Sequence, residues 1–273
     1  AFELATELEK ENAERGPRSV LLRMRYPDQR YVVIRAVAKR DPRWAKELTR
    51  RMLRQGDASP TRDSVSDLLT AARLLESAQI LIATDINAAM DLARHSLRYP
   101  ASPGLTRFLY ALAGFSQRAA DEFYTQALMA YAKKPLREFL YLQAYPFRLP
   151  TSLNTPIFAY YGAVNSQVTT DVGLYLQRLF VMNLLFRAQR ALEESPDESD
   201  YYRGPSGRSM PPTVNLLQSL MELEPHLKGH LIDLLPRVIQ AREKLLVSLS
   251  ADMQKLLLQP GREISIPPAK NFN

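Results

Sequence analysis

The chain has 273 residues, 46% of them apolar, enough for one long domain or two closely joined ones. Cysteine is absent, which excludes disulfides, thiolate metal sites and cysteine nucleophiles. The net charge of +7 is concentrated: thirteen Lys or Arg stand against three acids between Arg15 and Arg54, while Glu193, Glu194, Asp197, Glu198 and Asp200 form an acidic run late in the chain.

No apolar run reaches the roughly 18 residues that a bilayer-spanning helix needs, so no transmembrane segment is expected. The first residue is Ala1, and no signal-peptide pattern follows it. With the missing cysteines, this suggests a mature exported protein, periplasmic or secreted and bacterial, with a cytoplasmic location as the alternative.

In chain order, helical spacing of apolar positions predicts helices over 2–14, 28–39, 42–55, 64–81, 86–98, 103–113, 117–133, 136–145, 170–192, 213–222, 226–234 and 237–258. Helix starts are punctuated. Asp41-Pro42, Ser102-Pro103 and Thr155-Pro156 each set a capping oxygen before a proline, and Asp85 and Ser116 cap without one. Tyr31-Val32-Val33-Ile34 is the one β-like stretch, and its continuation into Arg35-Ala36-Val37-Ala38 predicts a buried helix.

Three of these helices align. Asp41–Leu53, Asp85–Leu97 and Ser116–Leu128 superpose at offsets of 44 and 31 residues. Ala45, Ala89 and Ala120 share a column, as do the acids Glu47, Asp91 and Glu122. Leu48, Leu92 and Phe123 share another, and Leu53, Leu97 and Leu128 a fourth. The 31-residue step recurs between Phe108-Leu109-Tyr110 and Phe139-Leu140-Tyr141. Alanine columns let helices approach closely and Leu/Phe columns fill the groove between them, so a stacked repeat is expected.

The small–aromatic–small spacing of Ala120, Tyr124 and Ala127 resembles the second helix of the tetratricopeptide repeat family. The period is not 34 residues, the Trp-x-x-Leu-Gly of the first helix is missing, and Pro135 falls late. The resemblance covers 28–145. It implies an all-α fold: an irregular, TPR-like array of helical hairpins, a right-handed α-solenoid.

Beyond Tyr145 the texture changes. Tyr145-Pro146-Phe147-Arg148-Leu149-Pro150 reads as a helix stop, and Pro156 as a brief restart. Helix 170–192 is apolar on most faces, through Val172, Tyr175, Leu176, Leu179, Phe180, Met182, Leu185 and Phe186, which predicts central burial. Residues 193–212 read as a long loop with Tyr201-Tyr202 in its middle. The last helix carries the stripe Val238, Ala241, Leu245, Leu249, Met253 and Leu256, and 259–273 reads as an extended tail. The expected organisation is hairpin repeats over 1–150, a helical region over 151–258, and that tail. In texture the chain is also similar to uncharacterised exported bacterial helical proteins, a likeness that implies no activity.

Chemistry is sparse. No glycine-rich phosphate loop, nucleophile-elbow or zinc-protease motif occurs. His226, His230 and Asp233 have the spacing for two imidazoles and a carboxylate on one helical face, but Pro225 and Gly229 weaken that helix and no fourth ligand is near. No catalytic, cofactor-binding or metal-binding residues are therefore assigned, and the chain reads as a non-enzyme without a cofactor. The expected function is a protein-interaction or assembly scaffold whose partner is a copy of itself. The candidate contacts are Arg35, Arg43, Arg50, Arg51 and Arg54 on one side, and Glu193, Glu194, Asp197, Glu198, Tyr201 and Tyr202 on the other. The second reading is nucleic-acid or anionic-polymer binding through 15–54.

Overall fold

The structure, a computed structural model, describes residues 1–14, 29–56, 64–147, 172–194, 201–203 and 209–258. It is all-α in character. Among the described residues the only exception is a two-residue antiparallel pairing, with Tyr202 opposite Met210 and Arg203 opposite Ser209. Two compact units divide the chain at Gln126/Ala127.

Unit 1 contains α1 (Phe2–Glu14), α2 (Gln29–Ala38), α3 (Pro42–Gly56), α4 (Ser64–Leu81), α5 (Ile86–Ser96), α6 (Pro103–Phe115) and the start of α7 (Gln117–Tyr131). Among the described helices α1 packs on α2, α2 on α3 and α4 on α5, while α4 also packs on α2 and α6. Phe108 of α6 meets Phe123 of α7 edge-to-face at 5.2 Å. The stretch Tyr31–Ile34 is helical, with Tyr31 and Ile34 buried.

The helix starts follow from local chemistry. Asp41 Oδ1 accepts from Trp44 N at 3.0 Å, Asp85 Oδ1 from Ala88 N at 2.9 Å, and Ser116 Oγ from Ala119 N at 3.3 Å. Each cap satisfies an amide that the first helical turn leaves without a partner. The next amide in each helix, that of Ala45, Ala89 or Ala120, bonds to the carbonyl of the capping residue. These three alanine side chains are fully buried, and Leu48, Leu92 and Phe123 are buried one turn on. Leu97 and Leu128 are buried too, whereas the Leu53 side chain lies outside the described residues. Ser102 corrects one expectation. It precedes α6 but makes no side-chain cap bond, and its Oγ is buried without a hydrogen-bond partner.

Unit 2 holds the rest of α7, then α8 (Leu136–Leu140), α9 (Ala144–Phe147), α10 (Leu174–Glu193), α11 (Pro212–His230), α12 (Leu235–Ser248) and α13 (Ala251–Leu258), with β1 (Tyr202–Arg203) and β2 (Ser209–Met210) before α11. Helices α10, α11 and α12 pack on one another as a three-helix core, and α9 packs on α10. Phe180 of α10 stacks on Phe139 at 5.0 Å and meets Phe147 edge-on at 6.0 Å. Arg187, also on α10, aims its guanidinium at the end of α7. Its Nη2 donates to the carbonyls of Tyr131, Ala132 and Lys134 at 2.7–2.8 Å, and its Cζ lies over the Phe139 ring, 4.6 Å from the ring centre.

Several expected boundaries are overturned here. Helix 136–145 is broken at 141–143, and Pro146 sits inside the short α9 rather than stopping it. Within a first turn its missing N–H has no bond to lose. The expected helices 213–222 and 226–234 are instead one helix, α11, that runs through Pro225 and ends at His230. Pro225 and Met221 are both exposed, so water can reach the Met221 carbonyl that Pro225 leaves without a donor. The expected helix 237–258 breaks at Leu249, whose φ of −81° and ψ of 150° are extended. Gln254 Nε2 fills the gap, donating to the carbonyls of Leu246 and Leu249 at 3.0 and 2.9 Å. The loop expected over 193–212 is in part structured, since Glu193 ends α10, β1 pairs with β2, and Met210 is buried.

The central burial expected for helix 170–192 is also corrected. Leu176, Phe180, Val181, Leu184, Leu185 and Ala188 of α10 are buried, yet Tyr175, Met182 and Phe186 are exposed at 69%, 38% and 61%. A three-helix core covers only the face of α10 turned toward α11 and α12, and the apolar residues extend past that face. Pro150, Pro156 and the tail 259–273 lie outside the described residues, as do 170 and 171 at the start of that expected helix.

Candidate interaction surfaces

Of the sequence-selected arginines of unit 1, three meet acids from other parts of the chain and one meets an acid of its own helix. Arg35 on α2 pairs with Glu76 on α4. Arg50 lies 3.7 Å from Asp91, Arg51 3.8 Å from Glu3, and Arg54 3.3 Å from Glu47. Arg43 is exposed with no ion-pair partner among the described residues, and the same holds for Lys39 and Arg40 at the turn between α2 and α3. Folding therefore disperses much of the local +10. The cations that remain open gather beside Trp44, which is 55% exposed. Residues 15–28 of the basic segment lie outside the described residues.

These ion pairs form a lattice across α3, α5 and α7. Lys46 and Arg50 of α3 reach Asp91 of α5 at 3.5 and 3.7 Å. Arg94 of α5, which also touches Asp91 at 3.6 Å, reaches Glu122 of α7 at 2.8 Å and Gln126 at 3.0 Å. Arg50 and Arg94 occupy equivalent positions under the 44-residue offset, and Asp91 and Glu122 under the 31-residue offset. The bridge Arg50–Asp91 thus recurs one step on as Arg94–Glu122. Exposed pairs of this kind contribute about 0–1 kcal/mol each, so their main effect is on the register between helices.

In unit 2 the acidic candidates are held locally. Glu193 accepts from Gln189 Nε2 at 2.9 Å. Arg190 grips Glu194 through Nε, and that hydrogen bond holds the Glu194 carboxyl below the usual carboxylate range. Tyr201 is exposed and Tyr202 opens β1, while Asp197 and Glu198 lie outside the described residues.

The His226, His230 and Asp233 constellation does not form on one helical face, which corrects the spacing argument. Helix α11 ends at His230, Leu231 adopts φ −126° and ψ 38°, and Asp233 lies in the following turn. There its carboxylate is taken by a bidentate pair from Arg178 at 2.7 and 2.9 Å, which lowers its pKa. Among the described residues no group of three His, Asp or Glu is placed to hold a metal ion. His226 and His230 instead line a half-open cavity of about 580 Å³ with Pro146, Phe147, Gly173 and Gln177. Burial lowers the His226 pKa.

One turn before His226 lies a pair that the sequence did not reveal. Gln143 is fully buried, and its Nε2 donates to Glu222 Oε2 at 3.0 Å. Its Oε1 is buried with no hydrogen-bond partner. Desolvation pushes the Glu222 carboxyl up to about 7, against the opposing pull of the Gln143 hydrogen bond. A protonated Glu222 can donate to Gln143 Oε1 while still accepting from Nε2, closing a ring of two hydrogen bonds. The two residues are 79 positions apart, so no local pattern could pair them.

Among the described residues no helix is long and apolar enough to cross a membrane. No protein-family model, curated relative or solved structure matches this chain.

Proposed function

We propose that the chain is a non-catalytic interaction or assembly protein, a scaffold of TPR-like helical hairpins in an irregular, right-handed α-solenoid, and that its partner is a second copy of itself. The observation that carries this reading is the uncovered apolar row Tyr175, Met182 and Phe186 on α10. A row of large apolar side chains left in water is the ordinary mark of a docking surface. The row complements itself. When two α10 helices lie antiparallel about the point between Met182 and Phe186, each Met182 meets the other copy's Phe186, a favourable sulfur–aromatic contact. Tyr175 then falls opposite Glu193, where its hydroxyl can donate to the carboxylate. Arg178 and Arg190 also come together, but Asp233 and Glu194 already neutralise them.

The recurring bridges Arg50–Asp91 and Arg94–Glu122, with the buried alanine column, support a stacked array in unit 1. An exported location belongs to the same reading and rests on the absence of cysteine.

The test is the mass in solution across a concentration series at low and high salt. Wild type should dimerise, and Met182→Glu with Phe186→Glu should give a monomer that melts as wild type does. A strict wild-type monomer at high concentration in low salt refutes the reading. Nucleic-acid or anionic-polymer binding, the second reading, is supported by the open cations Lys39, Arg40 and Arg43. Tight duplex binding, lost when these are reversed, would put it first.

A further inference from the structure

We infer that the turn joining α2 to α3 and the first residues of α3, Lys39-Arg40-Asp41-Pro42-Arg43-Trp44, form a docking point for an anionic phospholipid surface. It lies wholly within unit 1 and is independent of the α10 row. Lys39, Arg40, Arg43 and Trp44 are all exposed, and the three cations have no ion-pair partner among the described residues. The one acid beside them, Asp41, is engaged on the helix start, where its Oδ1 accepts from the Trp44 amide at 3.0 Å. That bond also fixes the backbone from which the indole projects.

The composition of the patch selects its partner. An indole carries a large apolar body with one N–H, and such side chains settle at the headgroup level of a bilayer. Cations beside it are drawn to acidic headgroups, at about five-fold in partition for each Lys or Arg. A nucleic acid would need cations continuing along its backbone and further aromatic faces for successive bases. Here the neighbouring cations are committed: Arg35 to Glu76, and Lys46 and Arg50 to Asp91. Among the described residues of the basic segment the open charge is confined to this turn and the first residues of α3, a footprint that suits a surface better than a strand.

Trp44 is the only tryptophan of the chain, so intrinsic fluorescence of the full protein reads this turn alone. The experiment titrates the protein with vesicles of phosphatidylglycerol and phosphatidylcholine, with pure phosphatidylcholine vesicles, and with a duplex oligonucleotide. The expected result is a blue shift of Trp44 emission with the anionic vesicles alone, reversed by salt. The double variant Arg40→Gln, Arg43→Gln should bind about 25-fold more weakly, at about five-fold for each cation removed. These positions are exposed, so circular dichroism of the variant should match wild type. A wild-type spectrum unmoved by anionic vesicles overturns the inference, as does undiminished binding by the folded double variant. A response to the duplex at least as strong as to the vesicles overturns it in favour of nucleic acid.

Discussion

Replacing Glu222 by Gln should stabilise the protein at alkaline pH and leave it unchanged at acid pH. The Glu222 carboxyl is pushed from its ordinary 4.5 up to about 7 by burial. Below the lower value it is protonated in the folded and unfolded chain alike, and its effect on stability is flat. Between the two values the folded state holds a proton that the unfolded chain has released, so stability falls as pH rises through the folded pKa. At about 1.4 kcal/mol for each tenfold difference, the full displacement corresponds to about 3 kcal/mol. Water still reaches part of this half-buried group and screens it, which reduces the effect to about 1.5 kcal/mol. Glutamine keeps the shape of the protonated acid, carries an N–H for Gln143 Oε1 and an oxygen for Gln143 Nε2, and cannot ionise. Thermal melts at pH 4 and pH 8 check this. The variant should match wild type at pH 4 and exceed it at pH 8 by about 3–6 °C, given about 2–4 °C per kcal/mol for a unit of this size. An equal difference at both pH values, or a wild type that gains on the variant as pH rises, would refute the acid–amide pair.

Two further substitutions probe the packing. Ala120 is fully buried, so Ala120→Glu should cost several kcal/mol, about 3 or more, through overpacking and a buried charge, and wild-type melting would show that the alanine column is not a packing position. Arg187 serves three carbonyls at the end of α7 and lies over the Phe139 ring, so Arg187→Ala should lose about 3 kcal/mol in denaturant unfolding, with Lys a poor substitute because it lacks the flat guanidinium face that covers that ring. An unchanged unfolding midpoint for Arg187→Ala would remove it from the stability of unit 2.

What the sequence determined is mostly what acts within a few residues. The caps Asp41, Asp85 and Ser116 were legible because a side-chain oxygen and the amide it receives are three residues apart. The helical character of Tyr31–Ile34 was legible from the alanine-rich continuation of the same segment. The passage of α11 through Pro225 was not, because it depends on whether the abandoned carbonyl faces water or protein. The break at Leu249 was hidden too, since the apolar stripe continues across it while Gln254 supplies the donor that ends α12. Charge shows the same divide. Counting residues found the basic segment, but only tertiary packing brought Glu3, Glu76 and Asp91 against it and left Lys39, Arg40 and Arg43 open. Gln143 and Glu222 illustrate the limit, for a buried carboxyl takes its protonation from neighbours that folding delivers across long chain separations. Periodicity showed that α10 is apolar on most faces. Which of those faces stays in water was decided by how many helices could pack around it, and α11 and α12 leave Tyr175, Met182 and Phe186 uncovered.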